Sequence, residues 1–154
     1  MSKRMTMGFV LSVFLYVVQA CAASAASDER GKLRVTSDQA VRGFVFPESV
    51  GCDTANKVLY VSQFGGSKLQ PAEKDGQGRI SKVGLDGKIL EERFLPVAGE
   101  TLHKPKGIWV RGNRLWVTDI DVVWVFDLKT RKGRKLELTG ITFANDPAIR
   151  YAHD

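Results

Sequence analysis

Two cysteines and two histidines in 154 residues are few, and none of them cluster. No Cys/His spacing of a zinc site is present. There is no Gly-x-x-x-x-Gly-Lys-Ser/Thr loop, which removes the usual phosphate cradle of nucleotide-binding enzymes. No window longer than a strand keeps a helical period, so a helical bundle is excluded. The single long apolar run falls short of the ~20 residues that cross a bilayer. The net charge is +6, but the basic residues are interspersed with acids. Their densest cluster, Arg131-Lys132-Gly133-Arg134-Lys135, sits where a hairpin turn is expected and has no nucleic-acid recognition motif around it. No nucleic-acid partner is expected.

The amino terminus reads as a secretory signal over residues 1–26. Lys3 and Arg4 form a positive start, residues 8–18 are apolar, and Ala20 to Ala26 supply small residues for cleavage. Val18-Gln19-Ala20-Cys21 also has the outline of a bacterial lipoprotein box, with Gln19 as an unusual middle residue. Two outcomes stay open: cleavage into the periplasm, or a lipid on Cys21 as the only link to a membrane. Cleavage after Ala22 or Ala26 leaves Cys52 as the single cysteine, with no internal disulfide. On an apolar strand Cys52 is expected to pack as a small hydrophobe.

The remainder of the chain is written in short strands. Val58-Leu59-Tyr60-Val61-Ser62, Gly107-Ile108-Trp109-Val110, Leu115-Trp116-Val117-Thr118 and Val122-Val123-Trp124-Val125-Phe126 are rich in β-branched and aromatic residues. Turn formers separate them, among them Asp53-Thr54-Ala55-Asn56, Leu85-Asp86-Gly87-Lys88 and Arg111-Gly112-Asn113. The strands recur in order. Pro47-Glu48-Ser49-Val50, Leu59-Tyr60-Val61-Ser62, Ile80-Ser81-Lys82-Val83 and Lys88-Ile89-Leu90 are answered by Pro105-Lys106-Gly107-Ile108, Leu115-Trp116-Val117-Thr118, Val123-Trp124-Val125-Phe126 and Arg134-Lys135-Leu136. A third start appears at Asp146-Pro147-Ala148-Ile149. A four-stranded repeat near 40 residues is that of a propeller blade. The first unit is longer because of a Gly/Ser/Lys-rich stretch, residues 64–78.

The expected fold is therefore all-β, a β-propeller truncated to about two four-stranded blades. Its parts are a signal peptide (1–26), a linker or lead-in strand (27–43) and a partial propeller (44–154). Within the last, blade one covers about 44–98, blade two about 105–140, and the start of a third 141–154. Two blades leave apolar sheet faces without neighbours, so self-association is expected. Trp109, Trp116 and Trp124 are expected to pack between blades rather than form a sugar platform. Asp119 and Asp121, flanking Ile120, read as turn residues, and His103 as a loop histidine.

These motifs, with Gly78-Arg79-Ile80-Ser81-Lys82-Val83 and Thr118-Asp119, resemble the senescence marker protein/gluconolactonase/luciferin-regenerating-enzyme group and are similar to NHL-type repeats. The resemblance spans residues 44–149. It implies a six-bladed propeller whose full-length members hydrolyse lactones with a divalent metal of the calcium or zinc class in the central tunnel. On that resemblance Glu48 matches the first metal-binding carboxylate, and Asn145 with Asp146 the substrate-contacting segment. Pro147 stands where the group often has Gly. The later Asn and Asp ligands find no match in this sequence, and one carboxylate cannot hold a cation that wants six to eight oxygens. The expectation is a chain without independent catalysis and without its own bound metal, taking a lactone or sugar-like ligand. The alternative is a non-catalytic propeller module that binds a ligand or a protein in the periplasm.

Overall fold

The computed structural model describes residues 38–148; residues 1–26, expected above to be a signal peptide, and Cys21 with them lie outside. The described residues form eight strands and no helix: β1 (Pro47–Asp53), β2 (Val58–Gln63), β3 (Arg79–Gly84), β4 (Ile89–Leu95), β5 (Pro105–Arg111), β6 (Arg114–Asp119), β7 (Val122–Asp127) and β8 (Gly133–Glu137). They make two antiparallel four-stranded sheets, ordered β1-β2-β3-β4 and β5-β6-β7-β8, each a meander of adjacent hairpins. The described residues are all-β, as their short β-branched and aromatic runs lead one to expect.

Side-chain oxygens shape the turns. Asp53 accepts the Asn56 N–H at 3.0 Å, and Asp127 accepts the N–H groups of Lys129 and Thr130 at 2.9 and 2.8 Å. An Asp at the first turn position thus satisfies backbone donors that the reversing chain frees. The β6–β7 turn is tighter. Ile120 takes φ 56°, a conformation costly for a β-branched residue, and keeps its side chain buried at 4 % exposure.

The core lies between the facing surfaces of the two sheets. Val58, Tyr60, Ile80 and Phe94 come from the first, and Ile108, Leu115, Val117, Trp124 and Phe126 from the second. Trp124 and Phe126, two residues apart on one face of β7, stack with centroids 5.2 Å apart. β1 packs on β5, so the first strands of the two sheets run side by side. Gly51 makes that approach possible: a Cβ there would lie 2.4 Å from Ile108 Cγ2.

Both sheets begin with the same irregularity. The register slips between Pro47 and Val50 in one and between Pro105 and Ile108 in the other. A hydroxyl at the matching place on the second strand pins each slip. Ser62 Oγ accepts from Ser49 N at 2.9 Å, and Thr118 Oγ1 lies within reach of the Gly107 and Asn145 carbonyls. Such bulges re-aim side chains at strand ends; here they aim residues 48 and 106.

Two expectations change. Cys52 is exposed, because β1 turns Gly51 and Asp53 inward and the intervening residue outward. Of the three tryptophans only Trp124 is buried in the inter-sheet core; Trp109, paired with Trp116 on the opposite face, is 38 % exposed.

Candidate functional site

The bulged starts of β1 and β5 bring the sequence candidates together with one residue the sequence did not flag. Glu48 and Lys106 occupy corresponding places, each next to the proline that opens its first strand. Asp146 reaches the same neighbourhood from residues 144–147, which lie along β5. Gly107 N donates to Asn145 O at 3.0 Å, and Ala144 N to Ile120 O at 2.6 Å. Position 107 must be glycine for this segment to dock, since a Cβ would fall 2.6 Å from both Asn145 O and Asp146 Oδ1.

Glu48 and Asp146 are exposed carboxylates. Partial burial pushes the Glu48 carboxyl above its ordinary value; the Asp146 charge adds to the rise, and the Lys106 ammonium opposes it. Asn145 holds Asp146 with a weak side-chain contact, Nδ2 to Oδ2 at 3.4 Å, while its carbonyl serves β5 and β6.

Lys106 is the unexpected member, at only 1 % exposure. Its Nζ donates to Lys104 O at 3.3 Å and lies 4.2 Å from the Phe143 ring centroid and 5.5 Å from that of Phe64. Burial lowers its pKa; the Asp119 and Glu48 charges pull it back up, and Lys104 lowers it further. Rings on two sides give an ammonium partial electrostatic compensation where water is excluded.

A second layer fixes these groups. Lys104 is fully buried, and its Nζ meets Asp75 Oδ2 at 2.5 Å and Phe64 O at 3.4 Å. Asp119, 1 % exposed, accepts the backbone N–H groups of His103 and Lys104 at 2.8 and 2.7 Å. His103 Nδ1 accepts the Gly76 N–H at 3.0 Å, and Lys74 pairs with Asp121 at 2.6 Å. Residues 74, 75 and 76 thus each reach the second sheet or its lead-in, strapping the 64–78 stretch across the junction. A cavity of about 100 Å³ opens beside this strap, lined by Lys74, His103, Asp119, Asp121, Trp124 and Glu137 among others.

Among the described residues, no three His, Cys, Asp or Glu side chains gather in a way that could hold a metal ion, and no helix is long and apolar enough to cross a membrane. No family model matches the chain, and no curated protein matches it. Lys106 escaped sequence reasoning because a lysine beside a Lys-rich linker reads as solvated. The proline-led strand start it shares with Glu48 was the available signal.

Proposed function

We propose that this chain is an exported segment of a β-propeller similar to the senescence marker protein/gluconolactonase group. In this reading β1–β4 and β5–β8 are successive blades. The convergent ends of their first strands bind a small polar ligand of lactone or sugar type, without turnover by this chain alone. The convergence of Glu48, Lys106 and Asp146 carries the proposal. In a propeller the first strand of each blade lines the central channel. The side-by-side packing of β1 and β5 agrees with that arrangement. The exposed Glu48 and Asp146 carboxylates offer acceptors suited to ligand hydroxyls, with the buried Lys106 charge behind them. The exposed Val50, Cys52 and Trp109 mark sheet faces that neighbouring blades, or further copies of the chain, would cover. Export rests on the order of charge, apolar run and small residues in 1–26.

NMR chemical-shift mapping with an aldonolactone and its open acid tests the ligand class. Saturable shifts around Glu48, Gly107 and Asp146 are expected, and shifts scattered without saturation would overturn the reading. Cell fractionation with amino-terminal sequencing tests export, and an intact Met1 in the cytosol would refute it.

One observation favours a hydrolytic second reading. Burial and the neighbouring Asp146 charge raise the Glu48 carboxyl, the disposition of a general acid beside a second carboxylate. Lactone hydrolysis by the purified chain that disappears in Glu48→Gln would establish it.

A further inference from the structure

We propose that the cavity beside the 64–78 strap binds a small α-amino acid, held through its carboxylate and its ammonium at once. The site shares no residue with Glu48 and Asp146 and does not depend on the lactone reading. An unanswered donor carries it. Trp124 is 5 % exposed and forms part of the cavity wall, and among the described residues its indole Nε1 is buried with no hydrogen-bond partner. A buried N–H without an acceptor costs about 1–3 kcal/mol, so such groups are few in a folded chain.

The set of the indole shows where that donor points. Its Cε3 edge faces the start of β8, since a Cβ on Gly133 would lie 2.7 Å from Cε3. Nε1 sits on the opposite long edge of the ring. That edge is turned toward the far end of the β7–β8 pair, where Val122 meets Glu137 and both line the cavity. His103, also on the wall, adds a second donor. Its Nδ1 accepts the Gly76 N–H, so the neutral ring carries its proton on Nε2.

The charges on the wall fall into two sets. Lys74 and Asp121 pair with each other at 2.6 Å, and the buried Asp119 is held by the His103 and Lys104 N–H groups. Lys135 and Glu137 are exposed and stand two residues apart on β8, on the face that meets Trp124. Lys135 Nζ lies 5.1 Å from the Trp124 ring centroid, and the Glu137 carboxylate has no hydrogen bond or ion pair among the described residues. A cation beside the orphan donor and a carboxylate one step along the strand match a ligand with one charge of each sign. The ligand carboxylate accepts from Trp124 Nε1, His103 Nε2 and Lys135, and its ammonium donates to Glu137. A volume of about 100 Å³ is that of about three water molecules, which sets the size near that of glycine or alanine.

The indole N–H signals of the full chain read the site directly. In proton–nitrogen correlation NMR, glycine should move the Trp124 signal saturably and leave those of Trp109 and Trp116 in place. Trp124→Phe assigns the signal by removing it; should that variant fail to fold, Trp109→Phe and Trp116→Phe assign it by elimination. Acetate and methylamine each lack one charge and should bind at least about tenfold more weakly than glycine. Glu137→Gln should weaken glycine about tenfold and spare acetate, and Lys135→Met should weaken both. A Trp124 signal that glycine never moves would overturn the proposal and leave water as the acceptor. Acetate binding as tightly as glycine would overturn it too, in favour of a simple anion site, and so would glycine binding that Glu137→Gln leaves unchanged.

Discussion

The two sheets are built with one backbone plan and two sets of charges. Each opens with a proline, slips its register over the next residues, and pins the slip with a hydroxyl, Ser62 or Thr118. At the end of the second strand each ties down the chain that leads into the first. The first sheet uses the neutral Gln63, which accepts Val45 N at 2.7 Å. The second uses the buried carboxylate Asp119, which accepts two N–H groups. On the first strands the signs are reversed, with an exposed Glu48 against a buried Lys106. The shared plan fixes where the side chains at 48 and 106 emerge. The differing charges decide what that place does, and they come as a set, because a buried ammonium in the second sheet needs carboxylates near it.

The largest test of the comparison removes what both sheets share, the packed interface. Phe126 is fully buried against Trp124, and Phe126→Ala should cost about 3–5 kcal/mol. Trp109→Ala on the open face should cost under about 1 kcal/mol, and equilibrium denaturation measures both. Equal losses would mean that the two faces of the second sheet are not distinct.

Next comes the charge set. Asp75→Ala strands the buried Lys104 ammonium and should cost about 3 kcal/mol, whereas Lys104→Met should be close to neutral. Burial pushes the Asp75 carboxyl up, but the Lys104 hydrogen bond and the Gln77 N–H outweigh it and leave its pKa below the ordinary 3.8. Asp75 therefore stabilises the fold above that ordinary value, and its contribution is lost as pH falls through the depressed one. Asp75→Asn should flatten the acid limb of a stability–pH profile below about pH 4.

The difference between the strand-end ties is smaller. Asp119→Ala leaves the buried Lys104 N–H and the part-buried His103 N–H without their acceptor and should cost about 2–3 kcal/mol, against about 1 kcal/mol for Gln63→Ala. Chemical denaturation of the pair sharpens or erases the distinction between a charged and a neutral tie. Least is expected from the bidentate Arg131–Glu91 pair, which is half exposed at both ends. Arg131→Ala should change stability by about 0.5 kcal/mol, less at high salt.

Local composition made the strands readable. Val122-Val123-Trp124-Val125-Phe126 and Leu115-Trp116-Val117-Thr118 become β7 and β6, and the Asp- and Gly-bearing turns fall where the strands end. The repeat was legible too, because both units carry the Pro-x-x-apolar start. Burial was harder to read. Strict alternation on β5 cannot place Lys106 inside, since the slip between Pro105 and Ile108 breaks the two-residue period. Cys52 looked like core because its strand is apolar, yet its outward face is decided by Gly51 meeting a strand more than 50 residues away. His103 had no visible partner because Gly76 is distant in sequence and offers only a backbone N–H. Glu48, Asn145 and Asp146 were named in the sequence only through the family resemblance; that the Asp146 and Lys106 charges both act on Glu48 was not foreseen.

With Trp116 replaced by Phe, the other two tryptophans of the second sheet, Trp109 and Trp124, amount to a pair of optical gauges. Trp109 faces out and is 38 % exposed, while Trp124 faces in at 5 %, with Phe126 stacked on it and Lys135 Nζ 5.1 Å from its ring. Acrylamide should quench the red-shifted emission of Trp109 and spare the shielded emission of Trp124. Trp109 would dim its response when another surface settles on the outer face, and Trp124 would brighten its response only when the two sheets part. One chain thus reports assembly and unfolding on separate channels, without a label.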